Sequence, residues 1–227
     1  MIDVEREGGV ARIFLNRPEK ANALNSAMLD QLRQSIEGLD ARVVVLAGRG
    51  KTFCGGADIK ELSKLDARTG PAFVTRIHDV CAAIRALPMP VVARLHGAVI
   101  GAGLEIAAAC DLRVAARGTK FAMPEVRIGI PSVVEAALLP RLMGSGRAAW
   151  LVLTGEPIDA RRALEWGLVE EVAAKPDLAL RRLVKALLAA DPEALRMQKQ
   201  LLHLWEEASL STSVAASIER FGQIHSG

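Results

Sequence analysis

The apolar positions of this chain alternate between two rhythms as far as residue 172 and then settle into one. Val10–Leu15 reads as a strand, closed by the turn signal Asn16-Arg17-Pro18. Over residues 26–39, Met28, Leu29, Leu32 and Ile36 recur at helical spacing, with Ser26 placed to cap the helix. Arg42-Val43-Val44-Val45-Leu46 is short, apolar and β-branched, as a buried strand would be. It ends at Gly48-Arg49-Gly50, and a glycine-rich turn over 52–58 is expected to lead into a short helix. Residues 71–87 predict a helix stopped by Pro88 and Pro90. Val91–Leu95 predicts a strand, followed by an apolar helix from Ala102 and a strand over 112–115. Helices are expected over 131–142 and 147–153, and a last strand over 168–172.

Short strands alternating with helices predict an α/β domain. After Pro176 the pattern is helical only. Leu180, Leu183, Val184, Leu187 and Leu188 form one apolar stripe, with Arg181, Arg182 and Lys185 on the opposite face. Asp191-Pro192-Glu193 has the chemistry of a helix start. The division expected is a core domain over 1–172 and a C-terminal helical oligomerisation region over 173–227. A chain of 227 residues, 51% of them apolar, suffices for one full core.

The net charge of +3 is a mild excess that suits an anionic small ligand. No dense Lys/Arg stripe is present, and with no tyrosine and 4% aromatics there is no base-stacking platform, so nucleic acid is not an expected partner. Cys54, Cys81 and Cys110 form an odd set without paired spacing, which points to a reducing compartment rather than a disulfide framework. His78, His96, His203 and His225 show no metal-ligand spacing, so no metal is expected, and His78-Asp79 reads as a solvated helix-face pair. The charged start, MIDVEREGGVARIFL, is unlike a signal peptide, and no apolar run of about 18 residues predicts a membrane span. A soluble cytoplasmic protein is the expectation.

The candidate chemistry begins with His96 to Asp111, HGAVIGAGLEIAAACD. Gly101-Ala102-Gly103 opens a helix whose first N–H groups are unpaired, an arrangement able to hold a developing oxyanion. Glu105 lies on the same helix face as Ala102. A packing turn would look similar. A dinucleotide fingerprint fits less well, because its third glycine position holds Ile106. Phe53-Cys54-Gly55-Gly56-Ala57-Asp58 is a second glycine turn after a buried strand. Two such turns could give two donors to one oxygen. Phe121-Ala122-Met123-Pro124-Glu125 adds a carboxylate in apolar surroundings, which suits an acid or base; a surface acid at a helix start is the alternative. Glu135 is an extra acid that either points into the pocket as a third acid or caps or solvates a helix face, the second being the favoured reading.

Taken together these residues resemble the enoyl-CoA hydratase/isomerase, or crotonase, family. Five blocks run in the family's order: LNRPEKANALN (15–25), RVVVLAGRGKTFCGGADIKEL (42–62), PVVARLHGAVIGAGLEIAAACDLRVA (90–115), FAMPEVRIGIP (121–131) and LTGEPIDARRALEWGLVEEV (153–172). The resemblance implies an α/β spiral of repeated β-β-α units with a C-terminal helical region, assembled as a homotrimer or dimer of trimers. It implies an acyl-CoA thioester as ligand, with coenzyme A part of the substrate and no separate cofactor. The oxyanion donors would be the N–H groups of Ala57 and Ala102, and the catalytic acids Glu105 and Glu125. Coenzyme A would meet the segments of Ala21, Ala23 and Leu24 and of Ala57, Asp58 and Ile59. The activity implied first is hydration of a 2-enoyl-CoA to a 3-hydroxyacyl-CoA, Glu105 activating water and Glu125 delivering a proton to the α-carbon. Isomerases, decarboxylases, thioester hydrolases and dehalogenases share the fold and its oxyanion hole, and a non-catalytic CoA-binding protein is a further class. Ile130-Pro131-Ser132-Val133-Val134-Glu135 lacks the glycine run that many hydratases carry there, which implies a reshaped acyl pocket. Similar proteins run on past the position of Gly227 through a segment that helps cover the CoA or the neighbouring subunit's site.

Overall fold

A long strand, a short strand and a helix recur along the chain, and each recurrence lays its long strand beside the previous one. The computed structural model describes residues 1–224; residues 225–227, His225 among them, lie outside the described residues. A hairpin of β1 (Ile2–Glu7) and β2 (Val10–Leu15) leads to α1 (Ser26–Ile36). The first unit then runs through β3 (Val43–Gly48), α2 (Ile59–Leu62) and α3 (Thr69–Ala86). The second is β4 (Val91–Leu95), β5 (Ala98–Ile100) and α4 (Ala102–Ala109). The third begins with β6 (Leu112–Ala116) and β7 (Lys120–Ala122). Its helical part is two 3-10 turns, Glu125–Ile128 and Val134–Leu138, then α5 (Leu139–Met143) and α6 (Ser145–Thr154). β8 (Ile158–Asp159), α7 (Ala160–Trp166) and β9 (Glu171–Ala173) lead into α8 (Pro176–Ala189), α9 (Pro192–Glu207) and α10 (Leu210–Ile224).

The long strands form one sheet in the order β1-β2-β3-β4-β6-β9, parallel except for the hairpin at its edge. A second sheet, β5-β7-β8, sits beside it, and Cys54 joins this sheet through a parallel bridge to Val99. The alternation of the parallel strands divides their side chains between two apolar layers. Ile13, Leu15, Val44, Leu46, Ala93 and Leu95 face α1, α3 and α4. Val10, Val43, Val45, Val92 and Val114 face the other way, against Ala179, Leu180 and Val184 of α8. The stripe on α8 thus covers the back of the sheet, and the helical stretch expected from residue 173 begins as a layer of the core.

The elements differ from expectation where local chemistry outweighs periodicity. Asn25, not Ser26, caps α1: its side chain accepts from the Met28 N–H at 2.9 Å, while the Ser26 hydroxyl is turned to Glu61. The stretch 131–142 is not one helix. Pro131 and a positive φ of 42° at Val134 keep it irregular until the 3-10 turn and α5. β1 is an added edge strand whose charges lie toward solvent. Among the described residues no helix is long and apolar enough to cross a membrane.

Candidate active site

The parallel bridge between Cys54 and Val99 brings the two glycine turns side by side. Leu24 N–H donates to Gly56 O and Asp58 N–H to Leu24 O, both at 2.8 Å. That ladder runs past Ala57 without using its N–H. Ala102 is the first residue of α4, where a helical N–H has no partner within the helix. Gly101 closes the turn by donating to Ala122 O at 2.9 Å. Gly56 has a φ of 96°, and a β-carbon there would stand 3.0 Å from the carbonyl oxygen of Ile100. Gly101 has a φ of 51°, and a β-carbon there would collide with Oε1 of Glu125. Both turns therefore need glycine to approach each other and the acid. Ala57, Ala102, Glu105 and Glu125 line one cavity of about 250 Å³. Phe73, Val74 and Ile77 of α3 supply its apolar wall, with Ile130 and Val133 opposite.

The two acids stand in different surroundings. Glu105 is 4% exposed on α4. Burial pushes its carboxyl up to about 8; Glu125 and then Glu135 push the same way, and the backbone N–H of Ala136 opposes them. Glu125 opens a 3-10 turn and is half-buried, and the Ser132 hydroxyl donates to its Oε2 at 2.9 Å. Ser132 is a site residue that sequence reasoning missed. The only signal for it was its place in the segment that lacks glycines.

The two segments expected to meet coenzyme A are joined by a parallel bridge between Leu24 and Ala57. Ala21 and Asn22 both have positive φ, of 52° and 54°. The fully buried Asn22 side chain fixes this corner: its Oδ1 accepts from Arg17 N–H, and its amide donates to the carbonyls of Arg49, Thr52 and Phe53. The Ala21 carbonyl accepts from Gly55 N–H at 2.8 Å, and the Ala23 carbonyl accepts from the Arg17 guanidinium at 3.0 Å. The Leu24 side chain is buried in the core. Asp58 has both oxygens engaged, Oδ2 with Arg17 at 2.6 Å and Oδ1 with Lys60 N–H at 2.9 Å. The Arg17 hydrogen bond holds its carboxyl below the usual range. Its side chain therefore caps α2 and ties two loops together. Ile59, 74% exposed, lies on the rim.

Two readings are corrected here. Glu135 is not a solvated helix-face acid: it is 8% exposed, and its Oε1 lies 2.8 Å from Nδ1 of His78. His78 accordingly belongs to this buried acid rather than to a surface pair with Asp79. His96 lies away from the acids, its Nε2 donating to the Gly50 carbonyl at 3.1 Å. Among the described residues no group of three or more His, Cys, Asp or Glu side chains is placed to hold a metal ion.

The enoyl-CoA hydratase/isomerase family model matches residues 5–226. The Bacillus subtilis protein YngF is 39% identical over 222 residues, 94% of this chain and 85% of the relative. The short-chain-enoyl-CoA hydratase of Clostridium acetobutylicum is 34% identical over 231 residues, 98% of this chain and 88% of the relative. An enoyl-CoA hydratase structure from Mycobacterium smegmatis superposes with a TM-score of 0.96 at 33% identity, covering 99% of this chain and 91% of that one. The chain belongs to the enoyl-CoA hydratase/isomerase family, whose members act on acyl-CoA thioesters.

Proposed function

We propose that the protein is an enoyl-CoA hydratase that adds water across the 2,3 double bond of a short 2-enoyl-CoA. The observation that carries this reading is the convergence of two unengaged N–H donors and two glutamates on one small cavity. The thioester oxygen accepts from Ala57 N–H and Ala102 N–H, and the positive end of α4 adds to both. Withdrawal of charge onto that oxygen makes the β-carbon electrophilic. A water held between the carboxyls adds its oxygen to the β-carbon and gives its proton to ionised Glu105. Glu125 delivers a proton to the α-carbon as the enolate collapses. The product has gained one hydroxyl and one hydrogen, and proton transfer from Glu105 to Glu125 restores the pair. The Ser132 hydroxyl orients Glu125 for this transfer. The apolar wall of Phe73, Val74 and Ile77 takes the short acyl chain.

The first test is loss of the ultraviolet absorbance of crotonyl-CoA on mixing with the protein, beside Glu105→Gln and Glu125→Gln. The reading requires loss with the wild type and a fall of about a hundredfold or more in each variant. An unchanged absorbance with wild-type protein overturns hydration and leaves another acyl-CoA reaction of the family.

The resemblance also implies assembly as a trimer or dimer of trimers, and we propose that the chain self-associates. An apolar groove of about 720 Å³ runs along Val126, Pro131, Val133, Ala148 and Val152. A second, of the same volume, lies between α9 and α10 and includes Trp205, Leu210, Val214 and Ile218. Exposed apolar surface of this extent is typical of an interface.

A further inference from the structure

Behind the two glutamates lies a third acid that the reaction scheme does not use. Glu135 is in the 3-10 turn Val134–Leu138, which packs on both α3 and α4. It is reached through Val134, a β-branched residue with a φ of 42°, a backbone conformation that such side chains rarely adopt. The turn accepts that cost and points the next side chain inward. Oε1 of Glu135 is seated on His78 Nδ1 at 2.8 Å, and the His78 side chain is 55% exposed. Oε2 is buried and accepts no hydrogen bond from an N–H or O–H group, the weakly donating Cys81 thiol being the polar neighbour of this carboxylate. A buried carboxylate with one oxygen unsatisfied is costly, and such groups call for a functional explanation.

The titratable groups around it are few. From α3 come His78 and Cys81, from α4 Glu105, and from the 3-10 turn Glu125–Ile128 comes Glu125; Cys110 lies beyond Cys81. Apart from His78, none of these offers positive charge. Burial raises the Cys81 thiol, and Glu135 and then Glu105 raise it further, so Cys81 stays a neutral neighbour.

We propose that Glu135, seated by His78, is a positioning residue that acts through Glu105: its buried negative charge makes Glu105 a stronger base for taking the proton of water. The carboxylate stays outside the acyl cavity and its influence crosses the α4 packing surface. A weaker base would be ionised at lower pH and would activate water less well. This inference rests on the hydratase reading for its consequence in catalysis; the coupling rests on the packing of the Glu135 turn against α4 and on the charge of Glu135 beside the buried Glu105.

The test separates the two. Carboxyl carbons of 13C-glutamate-labelled protein are titrated by NMR in the wild type, in Glu135→Gln and in Glu105→Gln, each variant identifying the signal it removes. Glu105 is expected to titrate about one pH unit lower in Glu135→Gln, and Glu105→Gln serves to identify the Glu105 signal. Glu135→Asp, which keeps the charge, should restore most of the Glu105 value. An unmoved Glu105 signal in Glu135→Gln overturns the proposal, as does an equal shift in Glu135→Asp and Glu135→Gln. With crotonyl-CoA, the rising limb of kcat/KM against pH should follow the Glu105 signal. A lowered Glu105 signal in Glu135→Gln of a protein that does not hydrate crotonyl-CoA would overturn the hydratase reading and leave the coupling standing.

Discussion

Glu105 shows how one side chain ties stability to chemistry. Its carboxyl is raised from an ordinary value of 4.5 to about 8, chiefly by burial. As a base it must be ionised, so kcat/KM for an enoyl-CoA is expected to rise with pH and level off above about 8. A flat profile from pH 6 to 9 would contradict that role. The same shift has a thermodynamic sign. The folded state holds the proton more tightly than the unfolded state, so stability is full below pH 4.5 and declines as pH rises to about 8. Glu105→Gln removes this dependence. Its melting temperature should gain on the wild type through that window and run parallel to it above. Which residues could be read from sequence follows the same physics. Glu105 and Glu125 stood out because carboxylates in apolar runs are unusual. Glu135 had the same signature among Val133, Val134, Ala136 and Ala137, but a helical reading of the segment turned it to solvent. Ser132 and Asn22 have polarity common in loops, and only their partners show what they do.

Elements are held to one another here by a few buried polar ties as well as by apolar layers. Lys199 of α9 is 5% exposed; its ammonium donates to the carbonyls of Ile84 and Met89 and pairs with Asp111 at 2.8 Å. It thereby fastens α9 to the end of α3, the approach to β4 and the end of α4. Asp111 in turn accepts from Val91 N–H at 2.7 Å. Lys199→Met should cost about 3 kcal/mol, measured as a lower urea midpoint, because it strands a carboxylate and two carbonyls. An unchanged midpoint would show that water or a rotated side chain replaces the ammonium. Sequence patterning found the long elements because their apolar faces are wide. It did not resolve β5, β7 and β8, since runs of two or three residues carry no period. Those short strands are the ones that place the site.

At the scale of the whole molecule, the two outer grooves are lined mainly by apolar side chains, and a monomer would leave both in water. Light scattering at micromolar concentration is expected to give a mass three or six times the 24.3 kDa chain. A mass of one chain would refute the assembly. The fold class was legible because alternating strands and helices admit few arrangements. The role of α8 as the back layer was less so, because its stripe indicates burial without naming the partner.

The register of the short strands has a further consequence. Cys54 lies opposite Val99, and Val99 opposite Phe121. Three residues on from each stand Ala57, Ala102 and Pro124, the last adjoining Glu125. The two donors therefore occupy the same position on successive windings, and the acid follows one residue later on the third, like teeth set along adjacent threads of a screw. Their separation is the thread spacing, which hydrogen bonding between strands fixes at a nearly constant value. A single inserted residue in any one winding would leave each tooth intact and still take it out of line with the others. This layout lets the acyl wall vary in sequence while the alignment of the reacting groups is preserved by the backbone.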